Sequence, residues 1–141
     1  MNQDLTERGG RVLEAFSSQL EQSPASSSAM LMALDFWLGP TREIVIAGSS
    51  KASDTQQMLQ LIRSKFLPEA VVLFHDQGST DPTIYEIVPF LKQQVALNGG
   101  ATAYVCEDYT CREPLNSIDE FEDLLDGRDG IAKAADSLGD E

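Results

Sequence analysis

The sequence predicts an α/β fold in which an N-terminal αα-hairpin precedes a small three-stranded parallel sheet with covering helices. The first observation is that three short apolar runs alternate along the chain with stretches of helical periodicity. The second is that these runs are apolar at successive positions, which is typical of strands buried on both faces of a parallel sheet. The third is that residues 1–40 carry two helical patterns before the first strand pattern.

The first helix of the hairpin is predicted over residues 3–22. Its apolar side chains recur near the helical period of 3.6 residues, at Leu5, Val12, Leu13, Phe16 and Leu20. Gly9 and Gly10 each cost a helix about 1 kcal/mol relative to alanine. We therefore expect the first turns of this helix to fray.

The second helix is predicted over residues 24–38 and is apolar nearly all round. Ser23 is a favourable N-cap, and Pro24 suits the first helical position. Gly39 ends the helix, because the proline that follows it cannot continue a helix. Large apolar side chains occupy Met30, Leu31, Met32, Leu34, Phe36, Trp37 and Leu38. We expect a helix of this kind to be covered on more than one face.

Three strands are predicted at residues 43–47, 70–74 and 101–106. Each is a short apolar run followed by polar residues or glycine. A helix is predicted between the first two strands, from Asp54 to about Phe66, where Pro68 stops it. Residues 83–96 predict a second connecting helix, kinked near Pro89. Strands joined by helical crossovers of this kind pair in parallel.

The last helix is predicted to begin at a capping box. Ser117 suits the N-cap, and Glu120, three residues later, completes the pattern. The helix is predicted to end near Leu125. The predicted organisation is one α/β domain over residues 1–126, with the hairpin at 1–40 and a βαβαβα unit at 41–126, followed by an acidic, flexible tail at 127–141.

The net charge limits the partners of this chain. Its 141 residues carry −13 at neutral pH, and residues 107–141, with twelve acidic and three basic side chains, contribute −9. Nucleic acid and anionic membranes repel such a chain. No apolar run reaches the ~20 residues of a membrane-spanning helix, and the N-terminus lacks the pattern of a secretory signal. We expect a cytoplasmic protein that binds neither nucleic acid nor membrane.

Polar residues at the ends of the predicted strands form the candidate ligand-binding site. They are Gly48, Ser49 and Ser50 after the first strand, and His75 and Asp76 after the second. With Cys106, Glu107 and Asp108 after the third strand, they would meet at one edge, where parallel sheets bind ligands. The turn at Gly48 either cradles an anion or simply needs one glycine, and it lacks the spacing of a phosphate-binding loop. His75 is either a base for Cys106 or a loop residue in contact with solvent.

Cys106 and Cys111 are the candidate thiol pair. Two cysteines are too few for a disulfide-built scaffold, and with a single histidine they leave a zinc site one ligand short. Four residues separate them, whereas a redox pair usually has two, and the acidic neighbours Glu107 and Asp108 disfavour a thiolate. These features favour two structural thiols over a disulfide or a catalytic role. We predict no metal, no cofactor and no catalytic residue.

Several segments, in order along residues 5–125, resemble a known family. The segments are Ala29–Phe36, Arg42–Gly48, Phe66–Pro68, Ala101–Cys106 and Thr110–Pro114. They are similar to the C-terminal region of the spermatogenesis-associated, thioredoxin-domain-containing proteins, and the two cysteine-containing segments are the most specific part of the match. The resemblance implies relatives with a thioredoxin-like domain followed by an α/α toroid of the six-hairpin glycosidase type.

Neither of those two parts is complete in this sequence. The sequence has no Cys-x-x-Cys pair, and one αα-hairpin cannot close a toroid. No catalytic residue of the family therefore carries over to a position here, whereas Cys106 and Cys111 do lie in matching segments. The resemblance implies a C-terminal fragment, or a separately encoded piece, of a larger protein rather than an independent catalyst.

The predicted function is that of a non-catalytic accessory or interaction domain. Its hairpin would pack against a helical toroid or a thioredoxin-like partner domain, or against a second copy of the chain in a homo-oligomer. One alternative is a small thiol-dependent redox protein that uses Cys106 and Cys111. Another is a binder of a small molecule, such as a sugar or a nucleotide, at the strand ends. Catalysis by the isolated chain is not expected.

Overall fold

The fold is that of a computed structural model, which describes residues 3–79, 82–107 and 110–127. The acidic tail predicted at 127–141 lies outside these residues except for Gly127. Among the helices in the described ranges, none is both long and apolar enough to cross a membrane.

The N-terminal part is helical, as predicted, but its helices are shorter. They are α1 (Gln3–Ala15), α2 (Ser17–Gln22), a 3-10 turn (Pro24–Ser27) and α3 (Ser28–Leu38). The single first helix breaks at Phe16, where the hydroxyl of Ser17 donates to the carbonyl of Glu14 at 2.8 Å. The second helix begins four residues later than predicted, because Pro24 opens the 3-10 turn and the side chain of Ser23 makes no capping bond.

A four-stranded mixed sheet forms the centre of the fold. Its strands are β1 (Arg42–Gly48), β2 (Ala70–Asp76), β3 (Thr102–Glu107) and β4 (Thr110–Cys111), in the order β2-β1-β3-β4. β1 and β2 are parallel, as predicted. The prediction of a parallel third strand is wrong, because β3 runs antiparallel to β1. The two-residue strand β4, which pairs with the end of β3, was not predicted.

The direction of β3 follows from the connection that precedes it. The helix predicted over 83–96 is broken into α5 (Thr83–Ile87) and a 3-10 turn (Pro89–Gln93). α5 rises about 7.5 Å, whereas a seven-residue strand such as β1 is about 23 Å long. The connection therefore does not carry the chain back along the sheet, and β3 starts with Thr102 opposite Ala47, near the end of β1.

Each face of the sheet has its own core. On one face, α4 (Ser53–Ser64) and α6 (Ile118–Leu125) cover alternate residues of the central strands. The buried residues there include Ile44, Ile46, Met58, Ala103, Val105 and Phe121. On the other face, Leu91 of the 3-10 turn packs with Val45, Ala47 and Tyr104 of the strands, and Tyr85 of α5 packs against this cluster. The predicted N-cap of α6 is confirmed, because the Ser117 hydroxyl accepts the Glu120 amide at 3.4 Å.

Candidate functional site

The loops that follow β1 and β2 are tied together by Asp76. Its carboxylate accepts the backbone amides of Gly78 at 3.0 Å and of Ser50 at 3.3 Å. The amide of Gln77 donates to the carbonyl of Gly48 at 2.9 Å. These bonds to the charged form, that from Gly78 first, hold the pKa of Asp76 below its ordinary value. The structure thus brings Gly48, Ser50 and Asp76 together at one edge of the sheet.

Asp54, which the sequence reasoning did not select, joins the same edge. Its carboxylate accepts the amide of Ala101 at 2.7 Å and the amide of Thr55 at 2.7 Å. The bond from Ala101 is the largest cause that lowers the pKa of Asp54. The one signal in the sequence was an acidic residue in the first turn of a helix. Asp54 fixes the start of α4 to the turn before β3.

Gly48 is required by packing rather than by a ligand. A Cβ at this position would collide with the hydroxyl of Thr55, which is fully buried. The side chain of Gln56 donates to the carbonyl of Ser50 at 2.7 Å, and the amide of Lys51 meets the hydroxyl of Ser49 at 3.4 Å. Because protein groups already occupy these loop amides and carbonyls, the geometry does not favour an anion-binding turn.

His75 lies inside β2 and is 6% exposed, so the expectation of a solvent-exposed loop residue is wrong. Its Nδ1 lies 2.7 Å from the carbonyl oxygen of Gln94, and its Nε2 lies 2.8 Å from the hydroxyl of Tyr85. The imidazole also meets the Tyr85 ring edge to face, at 5.5 Å between centroids. Both ring nitrogens are therefore occupied, and neither is directed to Cys106.

Cys106 and Cys111 form a disulfide, and they do not meet the other strand ends. Because β3 is antiparallel, Cys106 lies opposite Glu43 near the beginning of β1. The favoured interpretation of two structural thiols is wrong, and the alternative of a disulfide is the one observed. Cys106 and Cys111 oppose each other across the β3–β4 hairpin. The predicted convergence with His75 fails for the same topological reason.

Gln94 lies beside the disulfide and had no signal in the sequence. It is 8% exposed, and its Nε2 lies 3.9 Å from the Sγ of Cys106. Its Oε1 is buried without a hydrogen-bond partner. In the described ranges, no three His, Cys, Asp or Glu side chains are placed to hold a metal ion.

The N-terminal helices carry a large exposed apolar surface. We call it the hairpin surface and define it by the exposed side chains of Met32, Trp37 and Leu38 on α3, together with the groove between α1 and α3. α3 contains no buried residue, and Met32 is 69% and Leu38 73% exposed. The indole of Trp37 lies against α1, where a Cβ on Gly10 would come within 3.1 Å of it. A groove of about 460 Å³ between α1 and α3 is lined by Gly9, Val12, Leu13, Ala29, Met30, Ala33 and Trp37. The paired glycines allow this close approach.

Comparison with known proteins gives relatives of one kind. The chain is 32% identical to human (Homo sapiens) spermatogenesis-associated protein 20 over 114 residues, which is 81% of this chain and 14% of that protein. The rat (Rattus norvegicus) and mouse (Mus musculus) proteins of the same name are 30% and 29% identical over the same shares. No family model and no solved structure matches the chain. The chain thus spans about 14% of the length of these relatives.

Proposed function

We propose, from the homology of this chain to a segment of spermatogenesis-associated protein 20, that it acts as a non-catalytic accessory domain of a larger protein. The hairpin surface would pack against further helices of that protein. The observation that supports this most is α3, in which nine of eleven residues are apolar and none is buried. Contiguous apolar surface of this kind marks interaction sites.

The energetics favour a covered hairpin surface. Burial of one large apolar side chain contributes about 1.5–3 kcal/mol. Met32, Trp37 and Leu38 are 69%, 46% and 73% exposed, so covering them recovers several kcal/mol. That is a large part of the ~5–15 kcal/mol that stabilises a typical domain. Helices are the fitting partner, because the groove between α1 and α3 has the small residues Gly9 and Ala33 at its walls.

The partner implied by the family resemblance is the α/α toroid. In the predicted homo-oligomer, a second copy of the chain would cover the hairpin surface instead. The net charge of −13 opposes that pairing, since two strongly acidic chains repel each other. A neutral or basic helical partner meets no such repulsion.

Neither catalysis by a cysteine nucleophile of this chain nor ligand binding at the strand ends is supported by the geometry. A cysteine nucleophile needs a base near its sulfur, and both ring nitrogens of His75 are bonded elsewhere. A ligand at the strand ends would compete with Asp54 and Asp76 for the loop amides. The cytoplasmic location stays a prediction. The Cys106–Cys111 disulfide does not favour it, because disulfides are more common in oxidising compartments.

The test is binding of this chain to the human relative expressed without the 114-residue segment that it matches. We expect wild type to bind in titration calorimetry and Leu38→Glu to bind at least tenfold more weakly, because a carboxylate would be buried at the contact. Phe66→Glu is the matched control, since Phe66 is 90% exposed and lies outside the hairpin surface. Equal affinities of the two variants, or no binding by wild type, would contradict the proposal.

Light scattering of the chain alone tests whether a second copy covers the hairpin surface. A dimer that Leu38→Glu dissociates and Phe66→Glu leaves intact would assign the hairpin surface to self-association. A monomer at high concentration leaves the surface to a different protein.

A further inference from the structure

The Cys106–Cys111 disulfide is unsymmetrical in its surroundings. Cys111 is exposed, in the two-residue strand β4. Cys106 is 5% exposed and lies on the inner face of β3. We propose that this disulfide is a thiol–disulfide exchange site that opens in the folded protein, with Cys111 as the attacked sulfur and Gln94 as the residue that positions Cys106 in both redox states.

The exposure of the two residues selects the sulfur that is attacked. In thiol–disulfide exchange, the incoming thiolate approaches the sulfur it can reach, and the other sulfur leaves. Cys111 is the accessible residue, whereas Cys106 is buried, with the side-chain amide of Gln94 3.9 Å from its sulfur. The leaving sulfur is therefore the buried one.

The reaction partner is a dithiol reductant, and the electrons balance in two steps. A thiolate of the reductant attacks Sγ of Cys111, a new S–S bond forms, and the pair from the broken bond leaves on Cys106, which takes up a proton. The second thiol of the reductant then loses its proton and attacks the reductant sulfur that is bonded to Cys111. The bond to Cys111 breaks, and Cys111 takes up the proton and is released as a thiol. The dithiol is oxidised to a disulfide, and the protein disulfide is reduced to two thiols.

Gln94 has a donor and an acceptor suited to the two states of Cys106. Its Nε2 lies 3.9 Å from Sγ in the oxidised form, where it can stabilise the negative charge that develops on the leaving sulfur. Its Oε1 is buried without a partner in the same form, and an unsatisfied buried acceptor is costly. Reduction creates an S–H donor on Cys106, and rotation of the amide lets Oε1 accept it.

The backbone of Gln94 is held in place from the opposite side. His75 Nδ1 lies 2.7 Å from the Gln94 carbonyl oxygen, and Tyr85 holds the other ring nitrogen at 2.8 Å. These groups are buried or half-buried on one face of the sheet. The side-chain amide can therefore turn while its attachment to the fold stays fixed.

The first experiment identifies the attacked sulfur. Folded protein is incubated briefly with reduced glutathione and quenched with excess iodoacetamide, which alkylates the freed protein thiol before it can displace glutathione again. The modified residues are then mapped by peptide mass spectrometry. We expect glutathione on Cys111 and the alkyl group on Cys106. Glutathione on Cys106, or a reaction that occurs only after urea unfolds the protein, would overturn the proposal.

The second experiment tests Gln94 through the rate of reduction by dithiothreitol. Gln94→Leu removes the donor and should slow reduction about three- to tenfold, the effect of one hydrogen bond. Gln93→Leu is the matched control, because Gln93 is the adjacent, exposed residue, and it should leave the rate unchanged. Gln94→Met repeats the test with a flexible side chain, and urea midpoints check that each variant is folded.

A spectroscopic readout separates positioning from a merely structural role. In wild type, the side-chain amide resonances of Gln94 in a nitrogen–proton correlation spectrum should shift when the disulfide is reduced. Unchanged resonances of Gln94, or equal reduction rates in folded Gln94→Met and wild type, would show that Gln94 does not follow the redox state.

Discussion

The carboxylate of Asp54 accepts the backbone amide of Ala101 at 2.7 Å, across 47 positions of sequence. This bond joins the first turn of α4 to the residue before β3. The other oxygen of the same carboxylate accepts the amide of Thr55, in the first turn of α4, at 2.7 Å. The bond thus fixes where the chain enters its third strand.

Asp54→Asn should destabilise the fold by about 1 kcal/mol, because the neutral amide makes a weaker bond to Ala101 than the carboxylate does. Urea unfolding followed by circular dichroism measures the change. Asp119→Asn is the control, since Asp119 is also an aspartate in the first turn of a helix. Equal losses in the two variants would assign the effect to the helix dipole rather than to Ala101.

Stability should fall in acid because of Asp54 and Asp76. Both carboxyls have a folded-state pKa below the ordinary value of 3.8. Their contribution is complete above that ordinary value and is lost as the pH falls through the lower, folded-state values. Wild type should lose free energy of unfolding below about pH 4, and Asp54→Asn should lose less. A parallel decline of both proteins would refute this assignment.

Gly48→Ala should destabilise the protein by roughly 1–3 kcal/mol, because the new methyl group collides with a buried hydroxyl on Thr55. The thermal or urea midpoint reports the loss. Gly78→Ala tests the same change where the nearest atom, an oxygen of Asp76, is at an ordinary 3.4 Å. A midpoint for Gly48→Ala as high as that for Gly78→Ala would mean that Thr55 can move aside.

Gly9→Ala and Gly10→Ala should differ although they are neighbours in one helix. Alanine favours a helix by about 1 kcal/mol over glycine, and at Gly9 the nearest atom of Trp37 is an acceptable 3.6 Å away. At Gly10 the new Cβ would lie 3.1 Å from the indole, which offsets the gain. Thermal midpoints should therefore rise more for Gly9→Ala. An equal rise would show that the indole does not rest on α1.

Local patterns predicted the elements of this fold well. The existence of β1, β2 and α4 and the N-cap at Ser117 follow from apolar periodicity and cap chemistry. These features depend on residues a few positions apart. The apolar character of α3 was predicted in the same way, but the covering expected for it is not found among the described residues, where α3 has no buried residue. The end of β2 was predicted two residues too early, which left His75 and Asp76 outside the strand.

Topology and the site could not be read in the same way. The direction of β3 depends on the length of the connection that precedes it. Because the helix breaks between Ile87 and Pro89, this connection does not return the chain to the start of the sheet, and β3 runs antiparallel to β1. With β3 reversed, Cys106 moved to the opposite edge from Asp76. Asp54 and Gln94 bind partners that are distant in sequence, Ala101 and Cys106. Periodicity and motifs, which relate residues a few positions apart, do not indicate such contacts.

The position of Trp37 makes the two parts of the chain optically distinct. It is the one tryptophan in the sequence, and it rests on the glycine pair of α1, within the N-terminal helices and outside the sheet. Excitation at the red edge of the indole band therefore reports on the hairpin alone, while far-ultraviolet dichroism reports on all elements. A shift of indole emission at lower denaturant than the dichroism transition would reveal the hairpin as a separately melting unit. Docking of a partner would quench or blue-shift the same signal without any added label.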